Sequence, residues 1–500
     1  MSDNLILAPV FIHLFIAIFQ LIAWRKTVTQ RILSVGGALV ALISAAMLFT
    51  HVYVHGTITL NASNWKAPFS IVFVADLLGA TMVVLTSIAG FAVSIFSATG
   101  LSRQRMLYGY FPIFHFLLMG LNGAFLTGDI FNLYVWFEVI IIASFVLMTL
   151  GGRRNQLEGA LKYMSMNILA SMFFLTGIGI LYGMTGSLNM ADLSIKMHDV
   201  QNRSLVGITS VFFILGFGIK SAVFPLYFWL PSSYHTPPSA VAATFGGLLT
   251  KVGIYAILRV NSLIFIPDDF TKKLLMVMAV LTILTGAFGS LNKMNIRRLF
   301  SYLIVCHIGF MVGGIAIFTK LALMGTVFYL IHDIMVKTNM FLISGVIMQL
   351  RGVITMEKLG GLYKEYPKIS LLIAIVLLSL VGIPPLSGFW PKVYLFREAF
   401  TGQHYFFVAA LILGSLVTLY VIAKMWAEVF WKDIPADVTV DNKFEPLPFL
   451  RKLLLLIPIG ILAIASVYIG LNAEAIVQIV DRIAEELIDT SSYINAVFKK

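Results

Sequence analysis

The stretch GFGIKSAVFPLYFWLP, residues 216–231, puts Lys220 inside an apolar run and Pro225 a turn and a half beyond it. A charge and a helix break are each costly in an apolar medium, so their coincidence calls for a common cause. Pro225 has no N–H to offer the carbonyl of Ser221, which leaves that oxygen free one residue from Lys220. In lipid it would be an unsatisfied acceptor, whereas beside a hydrated polar path it accepts from water or from the ammonium. A second stretch, GIPPLSGFWPK at residues 382–392, repeats the arrangement. There Pro384 and Pro385 free the carbonyls of Leu380 and Val381 near Lys392.

The rest of the chain names the medium. Hydrophobic residues make up 59% of the sequence and charged ones 12%. Apolar blocks of ~20 residues recur from end to end, which is the pattern of a polytopic all-α membrane protein. Reading blocks between polar joints predicts about fourteen spans, near residues 5–24, 32–52, 70–98, 107–126, 130–150, 157–182, 204–228, 238–264, 273–290, 299–318, 321–349, 369–398, 405–430 and 450–470. The first block is read as a span rather than a signal peptide, because its positive charges follow the apolar run and no small-residue cleavage site appears.

The two proline-broken segments fall in spans 7 and 12, and their motifs PLYFWLP and PLSGFWP resemble each other. Five spans separate them, so the units around them, spans 4–8 and 9–13, would run in opposite directions through the membrane. That is the expectation for two inverted five-helix repeats whose broken helices flank a transport site. The chain divides accordingly into an N-terminal three-helix segment (1–106), a first repeat (107–264), a second repeat (265–431) and a last span with an amphipathic helix (432–500). In that helix, AEAIVQIVDRIAEELID, the spacing of Ile476, Val480, Ile483 and Leu487 makes one apolar face, read as lying on the membrane surface or on a partner.

The formal charge of +12 does not indicate nucleic acid, because the cations sit in alternate loops rather than on one face. Arg25 and Lys26, Arg103 and Arg105, Arg153 and Arg154, Lys293 to Arg298, Lys358 to Lys368 and Lys432 to Lys452 crowd the odd-numbered joints. By the positive-inside rule those joints face the cytoplasm, which puts both termini outside. Cys306 is the only cysteine, so the chain holds neither a disulfide framework nor a clustered thiolate site. No glycine-rich nucleotide fingerprint or iron–sulfur pattern is present either, so no cofactor is expected and the chain cannot itself perform redox chemistry.

The informative residues are the charges too deep to reach an interface. They are Glu138 in YVWFEVIII, Lys220, Lys251 in GGLLTKVGIYAI, His332 and Lys337 in YLIHDIMVKTNMF, and Lys392. At the helical rise, Glu138 lies about 12 Å and Lys251 about 20 Å inside its span. Each charge costs ~2.5–3.5 kcal/mol on insertion scales, so the set is expected to face water or one another along one internal path. Glu138 is expected to pair with Lys220, and release of that pair to change the proton affinity of Lys251 and onward. Lys162 and Lys424 lie near span ends and read as snorkelling. Asp76 reads equally as interfacial or internal, and His235 as loop-borne. No Na+ or other metal site is legible.

LYVWFEVIIIASFVLMTLGG, GGLLTKVGIYAILR and GIPPLSGFWPK give the chain a resemblance, over nearly its whole length, to the antiporter-like subunits of proton-pumping respiratory complex I. It resembles the D subunits of Mrp-type multisubunit Na+/H+ antiporters more closely. The resemblance implies fourteen helices with the seventh and twelfth broken, and a proton-translocating, non-enzymatic subunit of a hetero-oligomeric antiporter in a bacterial cell membrane. Its partners would be the other subunits and membrane lipids, and its transported ions H+ and Na+. Glu138 and Lys220 match the family's acid–lysine pair, Lys251 its central lysine, His332 and Lys337 the polar positions of helix eleven, and Lys392 the terminal charge of helix twelve. The alternative is a proton-pumping membrane-arm subunit of a complex I-like NADH dehydrogenase or membrane-bound hydrogenase. A merely supporting subunit is disfavoured by the run of buried ionisable residues.

Overall fold

The computed structural model describes residues 3–498 apart from 64, 437 and 440. In chain order its long apolar helices are α1 Asn4–Ile22, α2 Thr27–His55, α3 Leu77–Gly100, α4 Tyr110–Leu126, α5 Ile130–Thr149, α6 Arg154–Thr185 and α7 Arg203–Ser221. They continue with α8 Ser239–Leu263, α9 Asp269–Ser290, α10 Ile296–Ile317, α11 Lys320–Arg351, α12 Pro367–Val381, α13 Tyr405–Trp431 and α14 Phe449–Leu471. Among the described residues twelve of these are long and apolar enough to cross a membrane, while α4 and α12 are apolar but shorter. Two further helices, α15 Ala473–Ile488 and α16 Ser491–Phe498, end the described chain. The chain is thus an all-helical polytopic membrane protein apart from one hairpin. Met1 and Lys500, the termini expected outside, fall beyond the described residues.

Polar side chains mark where helices begin. Asp76, Asp129, Asn202, Asp268, Asn295 and Thr319 each accept a backbone N–H of the first turn, which satisfies donors that have no intrahelical partner. The third helix starts at Leu77 rather than at residue 70, because Val72–Ala75 pairs antiparallel with Ile58–Asn61, Ile58 opposite Ala75. A strand cannot also be helix, and the Asp76 cap sets the boundary.

Helices α8 and α11 are buried along their whole apolar stretch, as expected of helices apolar on every side. Glycines let them meet: a Cβ on Gly246 would strike the Phe341 ring, and one on Gly247 would strike the Thr338 side chain. By contrast α1 and α2 keep apolar faces exposed, including Phe15, Phe19, Ile32 and Met47. Helix α15 departs from the sequence reading. Its apolar face is buried against its own chain, chiefly α11, with Val480 and Ile483 inaccessible. Arg297, counted above among loop charges, is buried too, bonded to Ser344 Oγ and the Pro237 carbonyl at 3.0 Å each.

Both proline-broken segments end their helices in the same way. Ala222 (φ 60°) and Gly382 (φ 88°) are left-handed. The next N–H in each reaches back to close a Schellman turn, Val223 to Gly218 O at 2.9 Å and Ile383 to Leu378 O at 3.2 Å. Short helices resume beyond them at Trp229–Ser233 and Phe389–Thr401.

Candidate functional site

The middle of the molecule is held by an acid outside the set of deep charges expected from sequence. Asp333 on α11 takes Lys251 Nζ from α8 at 2.7 Å, and all of both side chains is inaccessible. Lys337, one turn along α11, lies 3.9 Å from the other carboxylate oxygen. His307 Nδ1 of α10 comes within 3.4 Å of that same oxygen. One carboxylate is therefore shared by two lysines and a histidine from three helices.

Lys251 also donates to the carbonyl of Gly246 at 2.7 Å. That oxygen belongs to a π-helical turn, Phe245–Leu249, inside α8. Such a turn disrupts the regular ladder and commonly sits at functional positions. Breaking a buried ion pair by removing one partner typically costs 3–5 kcal/mol, so Asp333 fixes the register of α8 against α11 as well as its charge.

The second broken segment joins this centre from the other side. His332 Nδ1 lies 2.8 Å from Ser387 Oγ, and Ser387 lies 2.9 Å from Ser379 Oγ. Gly388 permits that approach, since a Cβ there would meet His332 Nε2 at 3.0 Å and press against the Ser379 carbonyl. Lys392 donates to the Val381 carbonyl at 2.7 Å, one of the two oxygens that the proline pair was expected to free. Its ammonium also lies 5.7 Å from the centre of the Phe310 ring.

The first broken segment holds its lysine differently. Lys220 sits 4.9 Å from the centre of the Phe137 ring and forms no ion pair with Glu138 among the described residues. Glu138 instead accepts a short hydrogen bond from Ser171 of α6. A cavity of about 20 Å³ adjoins Lys220, walled by Phe137, Asn167, Trp229, Tyr234, Leu249 and Val252. That is room for about one water molecule.

The structure thus joins Lys251, Asp333 and Lys337 directly and hangs His332 and Lys392 on the second broken segment. It leaves Glu138 and Lys220 apart from each other and from the central acid. Among the described residues, polar atoms without a hydrogen-bond partner crowd the centre, including Lys337 Nζ, His332 Nε2, His307 Nε2 and the Tyr329 hydroxyl. Asp333 and His307 are readable in part from sequence: Asp333 stands four residues before Lys337 on one helix face, and His307 is a lone ionisable residue in the apolar run SYLIVCHIGFMV. No cluster of three or more His, Cys, Asp or Glu side chains is placed to hold a metal ion among the described residues.

A polytopic helical protein whose innermost helices share an acid among several bases belongs to the ion-moving class of membrane proteins. Residues 127–418 match the family model described as NADH:quinone oxidoreductase/Mrp antiporter, transmembrane, and the chain belongs to that family. It is 39% identical to the D subunit of the Na+/H+ antiporter of Alkalihalophilus pseudofirmus over 499 residues, covering all of both chains. It is 38% identical to the corresponding D subunit of the Bacillus subtilis Na+/H+ antiporter, again covering all of both. Among solved structures, a chain of the Mrp complex from Dietzia sp. DQ12-45-1b superposes with a TM-score of 0.90 at 27% identity, covering 99% of each chain.

Proposed function

We propose that this chain is the proton-translocating subunit of a multisubunit Na+/H+ antiporter, with protons moving along buried acid, lysine and histidine side chains at mid-membrane in exchange for Na+. It is a transporter subunit and not a catalytic enzyme. The observation that carries the reading is Asp333, wholly buried, 2.7 Å from Lys251 and 3.9 Å from Lys337. In a low-dielectric interior a single carboxylate between two lysines cannot serve both equally. A proton lost or gained at either lysine moves the carboxylate's favour to the other, so charge state passes along the series without any group leaving its helix.

The two ends of the series suit a position between neighbours. Glu138 and Lys392 are half-buried in the isolated chain, whereas Lys251, Asp333 and Lys337 are fully enclosed. A carboxylate at that depth on a lateral face needs a polar neighbour rather than lipid, which supports docking of another subunit against α5 and α6. The matching Schellman turns support two inverted five-helix units, α4–α8 and α9–α13, within fourteen spans. The loop cations support a bacterial cell-membrane protein with both ends outside. The names of the full-length relatives favour antiport over service in a redox pump.

The test replaces Asp333 with asparagine, which keeps shape and removes charge. In everted vesicles carrying the assembled complex, Asp333→Asn is expected to abolish Na+-linked proton movement. Normal antiport in that variant would remove Asp333 from the mechanism.

A further inference from the structure

The beginning of α7 and the end of α8 border a cavity of about 450 Å³ that the relay above does not use. Its walls carry opposite charges that do not pair. Arg203, the first residue of α7, gives two of its five N–H groups to the carbonyls of Met197 and His198, at 3.3 and 3.0 Å. Asp489, at the joint between α15 and α16, accepts the Ser491 N–H at 3.0 Å. Both residues line the cavity, and among the described residues neither forms an ion pair, with the other or with any third group.

Free acceptors line the same cavity. At the end of α8 the N–H groups of Ile264 and Phe265 both donate to the Val260 carbonyl, at 2.9 Å each. The carbonyls of Asn261, Ser262 and Leu263 therefore gain no backbone donor among the described residues, and all three residues are in the cavity wall. Asn261 is 3% exposed; its Nδ2 is spent on the Ile257 carbonyl at 2.9 Å, and among the described residues no donor reaches its Oδ1. The end of a helix favours a cation and the start of one an anion, so the cavity is positive at Arg203 and negative around Asn261 and Asp489. A groove of about 360 Å³ adjoins it, walled by Ser204, Gly207, Ile208, Val211 and Leu215 of α7 and by Phe270 of α9. From Ser204 to Leu215 it follows α7 for about 16 Å. Arg203, Val206 and Ile266 face the cavity while Ser204, Gly207 and Phe270 face the groove, so the two share a rim. Gly207 deepens the groove, since nothing lies within 4 Å of where its Cβ would stand.

We propose that cavity and groove together bind one phospholipid whose headgroup carries both a phosphate and a primary ammonium. The phosphate meets the remaining N–H groups of Arg203 in a charge-assisted contact. The ammonium donates to Asn261 Oδ1, to a free carbonyl at the end of α8 and to the Asp489 carboxylate. One acyl chain lies in the groove against Gly207 and Phe270. The walls select this class of headgroup. A phosphate without an amine would leave Asp489 facing like charge, and a quaternary ammonium has no N–H to give to acceptors that are costly to leave unmade. Held in this way, the lipid clasps the start of α7 to the end of α8, the two helices that carry Lys220 and Lys251.

The test uses the whole assembled complex in detergent with a phosphatidylethanolamine that carries a photoactivatable diazirine in one acyl chain, and reads the labelling of the peptide spanning residues 204–215. Excess unlabelled phosphatidylethanolamine is expected to reduce that labelling several-fold, whereas phosphatidylglycerol and phosphatidylcholine with the same chains reduce it little. Gly207→Leu fills the groove and is expected to lower labelling several-fold; leucine is also the better helix former, so α7 persists. Arg203→Gln is expected to lower it likewise. Asp489→Asn keeps the acceptor for the Ser491 N–H and is expected to make phosphatidylglycerol as good a competitor as phosphatidylethanolamine. Equal displacement by the three lipids in the unmutated complex would overturn the proposal, leaving only ordinary contact with the bilayer, as would labelling that Gly207→Leu and Arg203→Gln leave unchanged. Transport is not the readout, so the outcome is independent of the relay.

Discussion

The two proline-broken segments share a backbone and differ in what they do with it. Each ends a helix on a left-handed residue and a Schellman turn, and each resumes within a few residues. At the first, the Trp229 indole donates to the Ile219 carbonyl at 3.0 Å, an oxygen that also accepts the Ala222 N–H, and Lys220 is left facing a ring. At the second, Lys392 itself takes the Val381 carbonyl, Ser387 is bonded to His332, and Trp390 turns outward to Gly470 of α14 at 3.0 Å. One device thus serves two ends. Among the described residues it leaves the first lysine without a fixed acceptor, free to respond to a neighbouring charge, and it ties the second into the bonded network of the centre.

That contrast can be broken by function first. Lys220→Ala is expected to abolish Na+-linked proton movement, and Lys392→Ala to reduce it without abolishing it, in complexes that assemble normally. Equal losses would erase the distinction. Lys424→Ala is the mild reference, and the same deficit there would point to general misfolding.

A smaller effect sharpens the backbone half of the comparison. A left-handed residue other than glycine carries about 1–2 kcal/mol of strain, which Ala222 bears and Gly382 avoids. Gly382→Ala is therefore expected to lower the thermal unfolding midpoint of the detergent-solubilised complex. Ala222→Gly is expected to leave it unchanged or raise it slightly, because relief of strain is offset by a more flexible unfolded chain. A midpoint that falls in both variants would show that the two turns are not equivalent.

How much of this is legible in the sequence follows from range. The breaks are legible because a proline acts on a carbonyl four residues away, and the Lys392–Val381 bond is that local effect realised. The depth of Glu138 and Lys251 is legible from helical rise alone. Pairing is not. The sequence reading pairs Glu138 with Lys220, yet Ser171 holds it, because which faces of α5, α6 and α7 meet depends on packing that no single helix encodes. Asp333 is visible as the neighbour of His332, but its contact with Lys251 requires the glycines at 246 and 247 to bring α8 against α11. Helix α15 reads correctly as amphipathic. Periodicity says that a face will be buried and is silent on what covers it.

The central claim is that Lys220 and Lys251 act in series in one relay. Its most direct test is the rate of Na+-linked proton movement in vesicles bearing equal amounts of assembled complex with Lys220→Arg, Lys251→Arg or both, charges kept but proton release made far harder. A series predicts that the transit times of the two steps add, so the double variant loses far less than the product of the two single losses. Losses that multiply in the double variant would mean two separate contributions, and the relay would have to be abandoned.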